Sequence, residues 1–379
     1  MQLDLSSDQE FFRETTARFL EDLVPVATVR ELMDDPQGFT DEYWRRGAEL
    51  GWTSLLVDEV HGGGSISGDG LADLAVIAHE FGAHAAPGPL LPTNVVAGAL
   101  SSQGGDQHDD VLAGLLDGSG VATWAHGERR PHDHLSEIAL TIRPDGDDLV
   151  LDGVKRPVES AGRAGHVLVT GRTGDGLTQV LVPTGTPGVT VRPLEGLDLT
   201  RRFSEVAFDG ARMPRTALVG ELGGADDQVE LQIQQAIVIG TSESVGAMQA
   251  AFDMTLEWVF DRYSFGRPLA SYQAIKHRMA DMKVWLEASH GLADMATAAV
   301  SARAPEAPVV ASAAKAYVGD NGAELLQDCV QLHGGIGVTF EHDMHLWLRR
   351  QAVNRMLYGT PVEHRLRITS IMSTQEAAA

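Results

Sequence analysis

Three consecutive parts, helical, then β, then helical again, make an α+β fold the expectation for this sequence. Two changes of hydrophobic period and a run of long helices predict it. Helical spacing holds over residues 1–118, and short alternating runs replace it over 119–222. Helical spacing returns over 223–379 in four long stretches. The expected architecture is an N-terminal α-helical domain, a central β-sandwich or barrel domain, and a C-terminal four-helix bundle.

In the first part, Ser7-Asp-Gln-Glu10 has the form of a capping box, and Phe12, Phe19, Leu20 and Leu23 follow at helical spacing. Further helices are expected over Thr40–Leu50 and Leu71–Phe81, separated by the glycine-rich loop His61–Gly68. Another is expected near Asn94–Leu100, after Pro87, Pro89 and Pro92 have broken the chain. In the second part, Ile138–Ile142 and Leu149–Val154 flank Pro144-Asp-Gly-Asp147, a hairpin signal. Val167–Gly171, Gln179–Val182, Val189–Arg192 and Ser204–Phe208 continue the strands. In the third part, helical spacing runs through Val229–Tyr263, Gln273–Val300, Pro308–Leu332 and Asp343–Tyr358.

A formal net charge of −24 argues against nucleic acid or an anionic membrane as partner. One cysteine, Cys329, leaves no intrachain disulfide framework, so a reducing, cytoplasmic compartment is expected. No leader segment and no bilayer-length apolar run are read. His126, His132 and His134 with Asp133 have no distant ligand to complete a metal site, so a solvated loop and no metal are expected.

Two C-terminal signatures carry the chemistry. One is Arg262-Tyr-Ser-Phe265-Gly266-Arg267-Pro268 followed by Gln273. The other is Gln331-Leu-His333-Gly334-Gly335-Ile-Gly337-Val-Thr339. Glycines where a helix stops let backbone N–H groups approach a large anion, and Arg262 supplies the matching charge. Physics alone gives a phosphate or dinucleotide site built from helix ends.

The two signatures at this separation resemble the C-terminal domain of the acyl-CoA dehydrogenase family, and the resemblance extends over essentially the whole chain. Leu5-Ser-Ser-Asp-Gln-Glu10, the Leu50-Gly-Trp52 turn with Glu59-Val-His-Gly-Gly63, and Val206-Ala-Phe-Asp-Gly210 with Pro214 look like family positions. The stretch from Phe265 to Asp281 is the most specific. It looks like the actinobacterial branch that degrades fatty acids and sterol side chains. The resemblance implies FAD as cofactor, an acyl-CoA as substrate and an electron-acceptor flavoprotein as redox partner. It also implies a homotetramer or an α2β2 assembly of two unlike homologous chains. In the family the C-terminal signatures grip the FAD of the neighbouring subunit. Here that assigns Arg262, Phe265 and Gln273, with Gln331, His333, Gly334, Gly335 and Gly337, to cofactor binding.

The family reaction is α,β-desaturation of the thioester, in which a carboxylate takes the α-proton and the flavin takes a hydride. The base needs a dry pocket that raises its proton affinity. In most members it is a Glu before a Gly-Thr, and Tyr358 stands there, before Gly359-Thr360. In another branch it lies early on the first bundle helix, where Ala236 stands. Glu243 lies seven residues on, two turns along the same face, among Ile237, Val238, Ile239, Val245 and Met248. It is the candidate base, with a solvated or intersubunit salt-bridge Glu on a helix as the alternative.

The family's central domain supplies a Thr-Glu-Pro-Gly…Gly-Ser run and a Trp-Ile-Thr run around the flavin. The corresponding runs here begin Thr123-Trp124-Ala-His126-Gly-Glu128 and Arg156-Pro-Val158-Glu159-Ser160. They lack the hydroxyl donor, the Gly-Ser and the aromatic wall, leaving Ser160 as a possible donor. The half-site a subunit keeps is thus altered, and the half it lends is intact. Two alternatives follow: a non-catalytic partner that completes another chain's FAD site, or the same fold with monooxygenase or redox-neutral chemistry.

Overall fold

A computed structural model describes residues 5–128, 137–174 and 176–378. The N-terminal part holds α1 (Ser7–Leu23), α2 (Val26–Leu32), α3 (Asp41–Glu49), α4 (Gly70–Ala83), α5 (Leu90–Gln103) and α6 (Asp109–Leu116). The capping box on α1 sits one residue earlier than its sequence form suggested. Ser6 Oγ accepts from the Gln9 backbone N–H at 3.2 Å, and Gln9 Oε1 accepts from the Ser6 N–H at 3.1 Å. Thr40 and Asp69 cap α3 and α4 in the same way. Pro92 does not break the chain: α5 begins at Leu90 and carries Pro92 in its first turn, where no intrahelical N–H is needed.

The central strands are β1 (Ala122–Ala125), β2 (Thr141–Asp145), β3 (Asp148–Glu159), β4 (His166–Thr173), β5 (Gly176–Pro183), β6 (Val189–Leu194) and β7 (Phe203–Pro214). They pair as two groups, β2–β3–β7–β6 and β1–β4–β5, joined where Thr141 meets Arg172. The expected hairpin forms between β2 and β3, with Asp145 opposite Asp148 and Gly146 at a φ of 64° in the turn. Leu149, Leu151, Val167, Val169, Val180, Val182 and Val206 fill a separate core between the groups.

The third part contains α7 (Asp226–Asp261), the two-residue strands β8 (Tyr263–Ser264) and β9 (Arg267–Pro268), α8 (Gln273–Ser301), α9 (Ala307–His333), α10 (Met344–Met356) and α11 (Pro361–Ala378). The four expected helices are present, and α11 packs on α9 as a fifth. Among the described residues no helix is long and apolar enough to cross a membrane.

One contact fixes the relation of the first part to the third. Helices α4 and α7 meet backbone to backbone at Gly82 and Gly246. A Cβ at Gly82 would lie 1.8 Å from the Glu243 carbonyl oxygen, and one at Gly246 would lie 1.9 Å from that of His79. Glycine costs helix stability in both positions, and the close approach explains why it is there. Gly246→Ala should therefore force the helices apart and lower stability by about 2 kcal/mol or more, measured by denaturant unfolding. An unchanged midpoint would show that the crossing is looser than described.

Candidate functional site

The edge that carries the two C-terminal signatures is built from two helix ends. Helix α7 stops at Arg262, and the chain turns back through the β8–β9 hairpin, where Tyr263 pairs with Pro268 and Ser264 with Arg267. That register leaves Phe265 and Gly266 as the turn, at φ of 50° and 80°. A left-handed phenylalanine is costly, and here its ring is 97% exposed. Arg262 is exposed and makes no ion pair with Glu257 or Asp261. Its guanidinium lies 5.7 Å from the Trp258 ring. Gln273 opens α8, exposed, with His277 3.4 Å away.

Trp258 joins this signature to the second. Its indole N–H donates to the Leu332 carbonyl at 3.2 Å, and its ring stacks on His333 at 5.1 Å. The structure divides the second signature in two. Gln331, Gly334 and Gly335 are exposed, and a Cβ at either glycine would meet open space. His333 is buried, its Nδ1 2.7 Å from the Cys329 carbonyl oxygen, and Gly337 is packed where a Cβ would lie 2.6 Å from the Val330 carbonyl oxygen. The two hold the loop up from beneath.

The other half lies where the three parts of the chain meet. Glu243 is buried, as its apolar neighbours implied, yet its surroundings are ionic. Its Oε1 accepts from Arg350 Nη1 at 2.8 Å, and its Oε2 lies 3.5 Å from Arg201 Nη1 and 3.3 Å from Asn354 Nδ2. Arg201 holds Glu159 with two bonds, 2.8 Å from Nε and 2.5 Å from Nη2. Arg350 uses all five N–H groups: on Asp198 at 2.9 Å, Glu243, Thr200, and the carbonyls of Ala86 and Ala85 at 2.9 and 3.2 Å. Lys315 donates to the Asn354 carbonyl. Six buried ionisable groups thus gather here: Glu159, Asp198, Glu243, Arg201, Arg350 and Lys315.

Burial pushes the Glu159 carboxyl up; Arg201 opposes this and the charge of Glu243 adds to it. Burial would also raise Asp198, but Arg350, Arg201 and Thr200 hold it below the usual carboxylate range. At the family's usual base position, burial and Glu159 drive the Tyr358 phenol up, so it cannot serve as a base.

Little space remains. A cavity of about 100 Å³ is walled by Trp124, Glu159, Phe203 and Tyr358, with the Tyr358 ring stacked on Trp124 at 5.6 Å and 13°. Beside Glu243, between Phe81, Leu90, Leu91 and Ile239, about 10 Å³ is left. Ligand pockets run to roughly 300–1,000 Å³, and both of these spaces are smaller. Ser160 is buried in the turn after β3, where its carbonyl accepts from Arg163 and Ala164. The His132–His134 run lies outside the described residues, and among those described no group of His, Cys, Asp or Glu could hold a metal ion.

Two helical parts around a sheet, with two glycine-bearing helix ends exposed at one edge, define the scaffold, and comparison with known proteins identifies it. The models for the acyl-CoA dehydrogenase N-terminal and C-terminal domains match residues 6–119 and 237–372. The chain belongs to the acyl-CoA dehydrogenase family, whose members are FAD-dependent oxidoreductases. It is 28% identical to acyl-CoA dehydrogenase IpdE2 of Mycolicibacterium smegmatis over 96% of this chain and 98% of that one. It is 25% identical to acryloyl-CoA reductase (NADH) of Anaerotignum propionicum, over 97% and 94%. Among solved structures it is similar to one described as a Tcur3481-Tcur3483 steroid ACAD variant. That likeness has a TM-score of 0.89 and 27% identity, over 98% of this chain and 99% of that one.

The sequence reading missed Glu159, Asp198, Arg201 and Arg350. The one available signal was the carboxylate of Glu159 next to Ser160, in the run that has lost the aromatic wall.

The cluster can be tested at two points. Arg350→Leu strands two buried carboxylates and should cost about 3–5 kcal/mol, read by denaturant unfolding; a loss under about 1 kcal/mol would contradict it. The buried lysines set a pH dependence. Burial, Arg201 and Arg355 lower Lys315 to about 7, while burial, opposed by Glu128, lowers Lys155 to about 8. The folded chain then sheds these protons at lower pH than the unfolded chain. The penalty is full below about pH 7 and relieved as pH rises toward that of free lysine near 10.4. Stability should therefore rise from pH 7 to 9, and Lys315→Met should flatten the rise.

Proposed function

We propose that this chain is the flavin-lending subunit of an FAD-dependent acyl-CoA dehydrogenase assembled from two unlike homologous chains. One contrast carries the reading. The edge that reaches outward is exposed and open at Arg262, Phe265, Gln273, Gly334 and Gly335, whereas the chain's own half-site is filled by paired charges and stacked rings. Arg262 and Gln273 would meet the cofactor's diphosphate, and Gln331 with Gly334 and Gly335 its adenosine side. When bound, FAD supplies the hydride acceptor of an α,β-desaturation, and an electron-acceptor flavoprotein reoxidises it. The substrate class assigned to the assembly is a bulky or branched acyl-CoA, with sterol side chains included. Similarity to a structure described as a steroid ACAD supports that class.

On this reading Glu243 is a hub of the buried ion cluster. A role as base would require a free carboxylate, and two guanidinium groups and an amide engage it. Glu243→Gln decides between the roles. Turnover of the assembled complex should persist while the unfolding midpoint falls; lost turnover at unchanged flavin content would make Glu243 the base.

Purified alone, the chain should be colourless, and co-expressed with its homologous partner it should carry flavin. Arg262→Ala should reduce the FAD retained by the complex at least tenfold without preventing assembly. Full retention of flavin by that variant would overturn the lending role.

A further inference from the structure

We infer that the Glu159–Arg201 pair, with Tyr358 laid on Trp124, is an assembly-selectivity element. By filling this chain's own flavin half-site, it keeps two copies of the chain from forming a cofactor site between them. The inference rests on the lending role proposed above and names the residues that enforce it.

Glu159 ends β3 as a buried carboxylate inside the central domain. A buried carboxylate needs a counter-ion. Arg201 meets the need with two bonds, and both side chains are at most 5% exposed. The guanidinium also donates to Asn354 Oδ1 at 2.6 Å and lies 5.5 Å from the Phe203 ring. Asn354 sits four residues before Tyr358, whose φ of 56° opens the turn that carries its ring onto Trp124. Charge pairing and ring stacking thus close the same cavity from two sides, and Glu159, Phe203, Trp124 and Tyr358 are its walls.

The pair is also separable from the rest of the cluster. Removing Glu159 and Arg201 together takes away one charge of each sign. Glu243 loses the Arg201 contact at 3.5 Å but keeps Arg350 and Asn354, and Asp198 keeps Arg350. Removing both partners of a buried pair is far milder than removing one.

The test uses the full chain expressed alone, incubated with FAD and desalted, with retained flavin read by absorbance and folding by circular dichroism. The double variant Glu159→Thr with Arg201→Ala should retain at least tenfold more FAD than wild type. Adding Arg262→Ala should abolish the gain, because the site would then need the lent edge of a second copy. A second double variant, Glu159→Gln with Arg201→Gln, keeps hydrogen bonding without charge and should gain about threefold. If the first variant does not fold, the second decides the question. Folded variants that retain no more flavin than a colourless wild type overturn this inference alone. A wild-type chain that holds one FAD per chain by itself overturns both this inference and the lending role.

Discussion

A guanidinium with no exposure to water has to find a partner for every N–H it carries, and Arg350 is that group here. It reaches the end of the first helical part through the carbonyls of Ala85 and Ala86, the central domain through Asp198 and Thr200, and the first long bundle helix through Glu243. No single element could supply these acceptors, so the three parts of the chain must converge on the side chain. The demand propagates: Glu243 brings in Arg201, which brings in Glu159 and Asn354. A centre whose polar groups are this fully engaged with one another has few left for a ligand.

The outer edge follows the opposite logic. Phe265 holds a strained backbone conformation with its ring in water, and Gly334 and Gly335 leave open space above their backbone. Such features are unfavourable in an isolated chain and become favourable when a surface or ligand covers them. Beneath them the supports are well made, with Trp258 bonded to the Leu332 carbonyl and stacked on His333. The edge is rigid from below and incomplete from above, as a site shared between chains requires.

Much of the fold was legible because hydrophobic period is a local property. The long helices α7 to α10, the β2–β3 hairpin and the order of the three parts follow from spacing and turn residues. Short α2 and α6 offer too few turns for a period to show, and α11 carries its apolar residues on a surface rich in charge. In the site, the apolar neighbours of Glu243 on one helix drew attention to it, and it is buried. Its counter-ion, Arg350, lies 107 residues away, and no local pattern encodes such a pairing. Likewise a compact motif read as one binding loop proved to contain both contact residues and the residues that hold them in place, a distinction that only packing reveals.

The central claim is an asymmetry between a closed half-site and an open one, and cofactor stoichiometry measures it most directly. Native mass spectrometry of the complex with its homologous partner should find one FAD for every two chains. One FAD bound to each chain would contradict the account.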